Sequence, residues 1–147
     1  MPTPDTSGLL TEQLLRLTRR LHRAQKRHME PLGITPAQSR LLRMVAHSDR
    51  PPRMADLAQR LEVVPRAVTT LVDALEAHGS VRRAADPDSR RVVRVELTDT
   101  GRATLRALRD ARRAAAEEIL APLSDRQREM LGELLDTLAG TPDQGRY

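Results

Sequence analysis

Leucines at helical spacing near both chain ends, a two-faced helix opening at Pro65 and an arginine-tipped hairpin directly after it predict a mainly α fold. The order of these pieces is that of a winged helix-turn-helix with flanking N- and C-terminal dimerisation helices. The expected division is an N-terminal arm and dimerisation helix over 1–34, a winged helix-turn-helix lobe over 35–98, and C-terminal dimerisation helices with a polar tail over 99–147. With no Cys, Phe or Trp in 147 residues, the core must be aliphatic.

The elements follow in order. Residues 1–8 are polar, contain two prolines and are expected to fray. Leu10, Leu14, Leu17 and Leu21 then recur at helical spacing up to Pro31, a first helix with a narrow apolar stripe. Thr35-Pro36 is a start signal, a hydroxyl cap before a proline at the first helical position. The second helix points Leu41, Leu42, Met44 and Val45 inward and ends near Ser48; Pro51-Pro52 breaks the chain. Met54 to Leu61 is a short third helix burying Leu57, Ala58 and Leu61. Pro65 opens the fourth, which runs to about His78, with Gly79 as its C-terminal cap.

Next, Val81–Ala85 and Val92–Leu97 flank the turn-forming Asp86-Pro87-Asp88-Ser89-Arg90-Arg91. Val93, Val95 and Leu97 alternate with Val92, Arg94 and Glu96, the period of a half-buried strand. Thr98 caps a fifth helix from Asp99 to Ala121, ended by Pro122. Ser124 with Gln127 forms a capping box for a sixth, with Met130, Leu131, Leu134, Leu135 and Leu138 on one face, stopped by Gly140 and Pro142. The small middle lobe cannot cover the apolar stripes at both chain ends, so they imply burial against a second copy.

Charge narrows the partner. The net charge is +5, and residues Val81 to Arg113 hold ten arginines against five acids, so the rest of the chain balances. Such a segment attracts polyanions. Lys26 is the only lysine and Asn is absent, a codon-bias pattern that discounts arginine richness by itself.

The fourth helix carries two rows. Val68, Leu71, Val72 and Leu75 form the inward face. Arg66, Thr69, Thr70 and Asp73 have the same spacing shifted by two residues, about 200° around the helix, and so point away from the core. Arg66 can bind guanine or phosphate; Thr69 and Thr70 can hydrogen-bond bases or phosphates and touch a thymine methyl. Arg90 and Arg91 sit at the hairpin tip, Arg91 suited to a narrow minor groove and Arg90 to phosphate. Asp86 and Asp88 would repel phosphate, so both are expected to turn inward, holding the loop or pairing with an arginine.

Other chemistry lacks support. There is no thiol for a disulfide, a thiolate metal site or a redox switch. His22, His28, His47 and His78 are not paired at i, i+4 and no acid cluster joins them, so no metal site is expected. No Ser-His-Asp arrangement, phosphate loop or dinucleotide motif is present, so neither catalysis nor a cofactor is expected. No apolar run approaches the roughly 20 residues of a membrane span, and no signal pattern opens the chain. A cytoplasmic protein without a membrane partner is the expectation. The groove of duplex RNA is too narrow for such a helix. The alternative is a winged-helix protein-interaction module without sequence-specific DNA binding.

Four stretches carry a resemblance: Leu-Ala-Gln-Arg-Leu (57–61), Pro-Arg-Ala-Val-Thr-Thr-Leu-Val-Asp-Ala-Leu-Glu-Ala-His-Gly (65–79), Asp-Pro-Asp-Ser-Arg-Arg (86–91) and Leu-Thr-Asp-Thr-Gly-Arg (97–102). Together with Thr-Pro-Ala-Gln (35–38), this chain resembles the multiple-antibiotic-resistance-regulator (MarR) family of winged-helix repressors. The resemblance implies a homodimer joined through the first, fifth and sixth helices, a fourth helix in the major groove and Arg91 as the wing arginine in the minor groove. It also implies a small-molecule effector, often a phenolic or aromatic anion, in a pocket between dimer region and DNA-binding lobe; its lining residues are unknown. Repressor and activator stay open. Ser89 stands where the family often has an aspartate bracing the wing arginine, and Val64 where a serine cap is common.

Overall fold

A computed structural model describes residues 5–140. The chain forms two compact units, one from Leu32–Arg109 and the other from both chain ends, up to Pro31 and from Asp110 onward.

In the middle unit, α2 (Pro36–Ala46) opens on a capping box: Thr35 Oγ1 accepts from the Gln38 N–H at 3.2 Å while the Gln38 side chain accepts from the Thr35 N–H at 3.2 Å. The helix ends at Ala46 with His47 as its cap, close to the expected Ser48, whose hydroxyl donates to the Met44 carbonyl at 2.7 Å. α3 is Met54–Leu61 and α4 is Pro65–Ala77, with His78 as its cap and Gly79 in the left-handed region at φ 82°. Val64 offers α4 no side-chain cap, and Pro65 fills the first position, where a missing N–H costs nothing. Strands β1 (Val81–Ala85) and β2 (Val93–Leu97) pair antiparallel, Val81 opposite Leu97 and Ala85 opposite Val93.

The core of this unit is aliphatic. Leu41, Leu42, Val45, Leu57, Leu61, Val68, Val72, Leu75, Val81 and Val95 are all buried. Burial of each such side chain is worth about 1.5–3 kcal/mol. Met44 and Leu71, expected inward, are only half-buried. Val93 is exposed and Leu97 is half-buried, as Arg94 and Glu96 are, so the expected inward row is buried only at Val95, and Val92 falls outside the strand. The ladder ends at the Ala85–Val93 pair, leaving Val92 in the turn.

The terminal unit contains α1 (Thr6–Met29), followed by a 3₁₀ turn (Glu30–Leu32) at the boundary, and α6 (Asp125–Ala139). The helix α5 (Asp99–Leu120) starts in the middle unit and ends in this one. α1 begins earlier than the expected frayed end because Asp5 caps it, accepting from the Gly8 N–H at 2.9 Å. The expected fraying of residues 1–4 and the polar tail from 141, with Pro142, lie outside the described residues. Glu118 joins α5 to α1 through Arg27 at 3.0 Å and His28 at 3.3 Å, and Glu117 joins α5 to Arg128 of α6 at 3.0 Å. Both stripes are solvent-facing in the single chain: Leu14 is 61 % and Leu138 78 % exposed.

Candidate nucleic-acid interface

The turn between α3 and α4 is tight. Glu62 takes the left-handed conformation at φ 56°, and its N–H with that of Val63 closes back on the Ala58 and Gln59 carbonyls. That turn sets α4 across α3 with Val68, Val72 and Leu75 packed inward. The opposite row, Arg66, Thr69, Thr70 and Asp73, is exposed throughout. The two threonine hydroxyls donate along their own helix, Thr69 to the Pro65 carbonyl at 3.3 Å and Thr70 to the Arg66 carbonyl at 3.2 Å. With that proton committed, each hydroxyl oxygen keeps lone-pair capacity to accept a further hydrogen bond.

The hairpin arginines separate into two sets. Arg82 pairs with Glu96 at 2.7 Å. Arg83 bonds Asp73 at 2.5 Å and Glu76 at 2.8 Å, tying β1 to α4, and the Asp73 carboxylate raises the Arg83 pKa. Arg94 pairs with Asp86 at 2.7 Å. Arg90 and Arg91 are exposed and, with Arg66, have no ion-pair partner among the described residues. Arg102 pairs with Asp99 as well, so the charge left for a partner is narrower than the count over 81–113 suggests. It comprises Arg90 and Arg91 at the tip and the exposed Arg106, Arg109, Arg112 and Arg113 of α5, which have no ion-pair partner among the described residues.

The tip itself is braced from within. The Asp86 carboxylate accepts from the Asp88 N–H at 2.7 Å and from Arg94 Nε at 2.7 Å. The Asp88 N–H, then the Arg94 guanidinium, hold its pKa below the ordinary carboxylate value. Asp88, expected to turn inward as well, is exposed: one carboxylate takes both bonds, and the second stays in water. Ser89 Oγ accepts from the Arg91 N–H at 3.4 Å, a long bond to backbone rather than to the guanidinium.

Arg94 and the Pro51-Pro52 segment are the parts that sequence reading missed. Arg94 Nη1 donates to the Pro51 carbonyl at 2.7 Å, and the Val95 N–H donates to the Pro52 carbonyl at 2.9 Å. Arg53 forms an isolated antiparallel bridge with Arg94. The Pro51–Arg53 segment is thus tied to β2 by a single bridge and two hydrogen bonds, outside the two-stranded sheet. An arginine between valines in a strand, with an aspartate eight residues earlier, was the available signal.

The base of the wing is clamped to α4. The Thr98 N–H donates to the Ser80 carbonyl at 3.1 Å, its hydroxyl donates to the Gly79 carbonyl, and the Gly101 N–H donates to that hydroxyl at 3.0 Å. Gly101 lies so close to the Ser80 carbonyl that a Cβ would sit 2.0 Å from its oxygen. The Leu-Thr-x-x-Gly spacing has this steric cause.

Three helices, a tight helix-to-helix turn and a braced two-stranded wing define a winged helix-turn-helix protein. The MarR family model matches residues 32–92. The transcriptional repressor Rv2887 of Mycobacterium tuberculosis is 34 % identical over 112 residues, 75 % of this chain and 78 % of that protein. The regulator YdgJ of Bacillus subtilis is 30 % identical over 103 residues, 70 % of this chain; the chain spans only 62 % of that relative's length. Among solved structures, YusO of Bacillus subtilis superposes with a TM-score of 0.83 at 26 % identity, covering 93 % of this chain and 99 % of that one. A MepR mutant of S. aureus bound to an oligodeoxyribonucleotide has the same fold, with a TM-score of 0.72 at 21 % identity over 91 % of this chain and 96 % of that one. The chain belongs to the MarR family of transcriptional regulators. Among the described residues no helix is long and apolar enough to cross a membrane.

Proposed function

We propose that this chain is a homodimeric, sequence-specific double-stranded DNA-binding repressor whose operator affinity falls when a small-molecule effector binds. One observation carries the reading: a helix face of Arg66, Thr69 and Thr70 that is exposed, in the same compact unit as two exposed tip arginines with no ion-pair partner among the described residues. Arg66, Thr69 and Thr70 read bases or phosphates in the major groove. Arg91 enters the minor groove and Arg90 holds phosphate. Residues 35–98 are the DNA-binding lobe, and 1–34 with 99–147 are the dimerisation parts. The exposed leucines of α1 and α6 support burial against a second copy. Two lobes then meet a palindromic operator with half-sites roughly 10 base pairs apart. The protein works in the cytoplasm and is not an enzyme.

The effector, an aromatic or phenolic anion, binds more tightly to a dimer whose recognition helices no longer match that period. α5 supports this coupling, because one unbroken helix leaves the foot of the wing and enters the terminal unit. Fluorescence anisotropy with the gene's own upstream duplex tests the proposal. Binding that survives excess scrambled duplex is expected. Equal affinity for both duplexes, or none for either, refutes sequence-specific recognition, and capture of a protein partner without DNA binding indicates an interaction module.

A further inference from the structure

The middle unit contains a cleft of about 530 Å³ between the end of α2, the face of α3 and the underside of the wing. Its charged lining is Asp49, Arg50, Arg53, Asp56, Arg60 and Arg94. Two of the arginines are matched by carboxylates: Arg53 grips Asp56 at 3.0 Å and Arg94 grips Asp86 at 2.7 Å. Arg60 is different. Its Nη1 donates to Ser48 Oγ at 2.9 Å, while that hydroxyl gives its own proton to the Met44 carbonyl at 2.7 Å. The guanidinium is positioned by a neutral group and keeps its charge. Arg50 has no ion-pair partner among the described residues. With the matched pairs set aside, Arg50 and Arg60 face one carboxylate, Asp49. Arg94 spends one N–H on Asp86 and one on the Pro51 carbonyl, which leaves further donors on a five-donor group.

We propose that this cleft binds a polyvalent oxyanion of metabolite size, phosphorylated or polycarboxylate, with Arg50 and Arg60 supplying charge. The volume falls in the range of small-molecule sites, roughly 300–1,000 Å³. The only apolar lining comes from Pro51 and Pro52, so the walls suit a highly charged ligand rather than an aromatic one. Forked guanidinium donors match phosphate and carboxylate geometry. The cleft is also coupled to the wing, since its wall is the Pro51–Arg53 segment, whose proline carbonyls accept from Arg94 and the Val95 N–H. A ligand oxyanion at Arg94 competes with Asp86 for the same guanidinium and loosens the turn that carries Arg90 and Arg91. This coupling rests on the DNA-binding reading; occupancy of the cleft does not.

Calorimetry on the DNA-free, full-length protein tests occupancy, with sodium pyrophosphate and citrate as separate titrants in chloride buffer of matched ionic strength. One saturable site per chain is expected for at least one of them, and the stronger titrant identifies phosphate or carboxylate chemistry. The double variant Arg50→Gln with Arg60→Gln weakens binding at least tenfold. The control Arg106→Gln with Arg109→Gln, an equal charge change elsewhere on the unit, leaves it within twofold. Unsaturable heats, or equal losses in both double variants, overturn the proposal in favour of diffuse charge. Thermal melts verify folding. Should the first variant fail them, the Arg53 and Arg94 Nε–H resonances of the wild type must shift saturably with titrant, and resonances that stay still overturn it.

Operator anisotropy then tests coupling. In chloride alone the Arg50→Gln/Arg60→Gln protein binds DNA as the wild type does, and saturating titrant weakens only the wild type. A loss of DNA affinity in chloride, with a salt slope about four units shallower for the dimer (two arginines from each protomer), assigns these arginines to the DNA backbone and overturns the free-ligand site. Absence of all DNA binding refutes the regulator reading while calorimetry still reads the cleft.

Discussion

Gly101→Ala tests the clamp between wing and recognition helix. The added Cβ would lie 2.0 Å from the Ser80 carbonyl oxygen, 2.8 Å from Leu97 Cδ1 and 3.0 Å from the Ser80 carbonyl carbon. The main obstruction is backbone, so no side-chain rotation relieves it. Overpacking of this kind costs about 1–3 kcal/mol, and a backbone obstacle belongs at the upper end. Moving the Ser80 carbonyl also strains its bond from Thr98, worth about 1 kcal/mol. Alanine returns up to about 1 kcal/mol through its better helix propensity. The expected net loss is about 2–3 kcal/mol. With a urea m-value of about 1–3 kcal/mol/M, the unfolding midpoint falls by roughly 1–2 M at fixed protein concentration. Gly132→Ala in α6 is the control: its Cβ meets nothing within 4 Å, and it should raise stability by up to about 1 kcal/mol. An unchanged or raised midpoint for Gly101→Ala refutes the clamp, and a fall as large for Gly132→Ala refutes the steric cause.

Three further outcomes follow from the interface. The Asp86 carboxyl has a depressed pKa in the folded chain, so its contribution to stability is full above the unfolded value near 3.9 and fades as pH falls through the lower folded value. The gap between wild-type and Asp86→Asn urea midpoints should therefore close between about pH 5 and pH 2; a gap independent of pH contradicts the brace. Arg91→Ala should weaken operator binding and flatten the plot of log affinity against log salt by about one unit for each Arg91 that neutralises a charge, about two for the dimer, measured by anisotropy; an unchanged slope removes Arg91 from the minor groove. Leu134→Glu with Leu138→Glu charges an exposed apolar face of α6 and should give a monomer in sedimentation equilibrium; an unaltered mass excludes that face from the dimer contact.

Local chemistry made most elements legible. Thr35-Pro36, Pro65, Gly79 and Ser124 with Gln127 each mark a boundary by a backbone constraint that acts within four residues: Thr35 and Ser124 form capping boxes, Pro65 takes the first position of α4, and Gly79 follows its cap residue, His78. The outward direction of Thr69 and Thr70 followed from helical geometry alone. Pairings across the fold were less visible. Nothing local to Pro51-Pro52 tells that these carbonyls will receive Arg94 and Val95, because the partners are over 40 residues away in sequence. Summed charge also misled. Arg82, Arg83 and Arg94 count toward the basic segment yet are answered by Glu96, Asp73 with Glu76, and Asp86. Conversely, α1 carries six cations between Arg16 and Arg27 with no acid among them, and acids elsewhere cancelled this run in the total. Net charge over a segment cannot tell a paired guanidinium from a free one.

Hydroxyl-radical footprinting of the upstream duplex tests the central claim most directly, that the Arg66–Thr70 face and the arginine tip meet DNA together. The account predicts two protected groups related by a dyad about 10 base pairs apart, with Arg91→Ala losing only the flanking minor-groove protection. Saturating protein that leaves cleavage uniform along the duplex, or protections without two-fold symmetry, would contradict it.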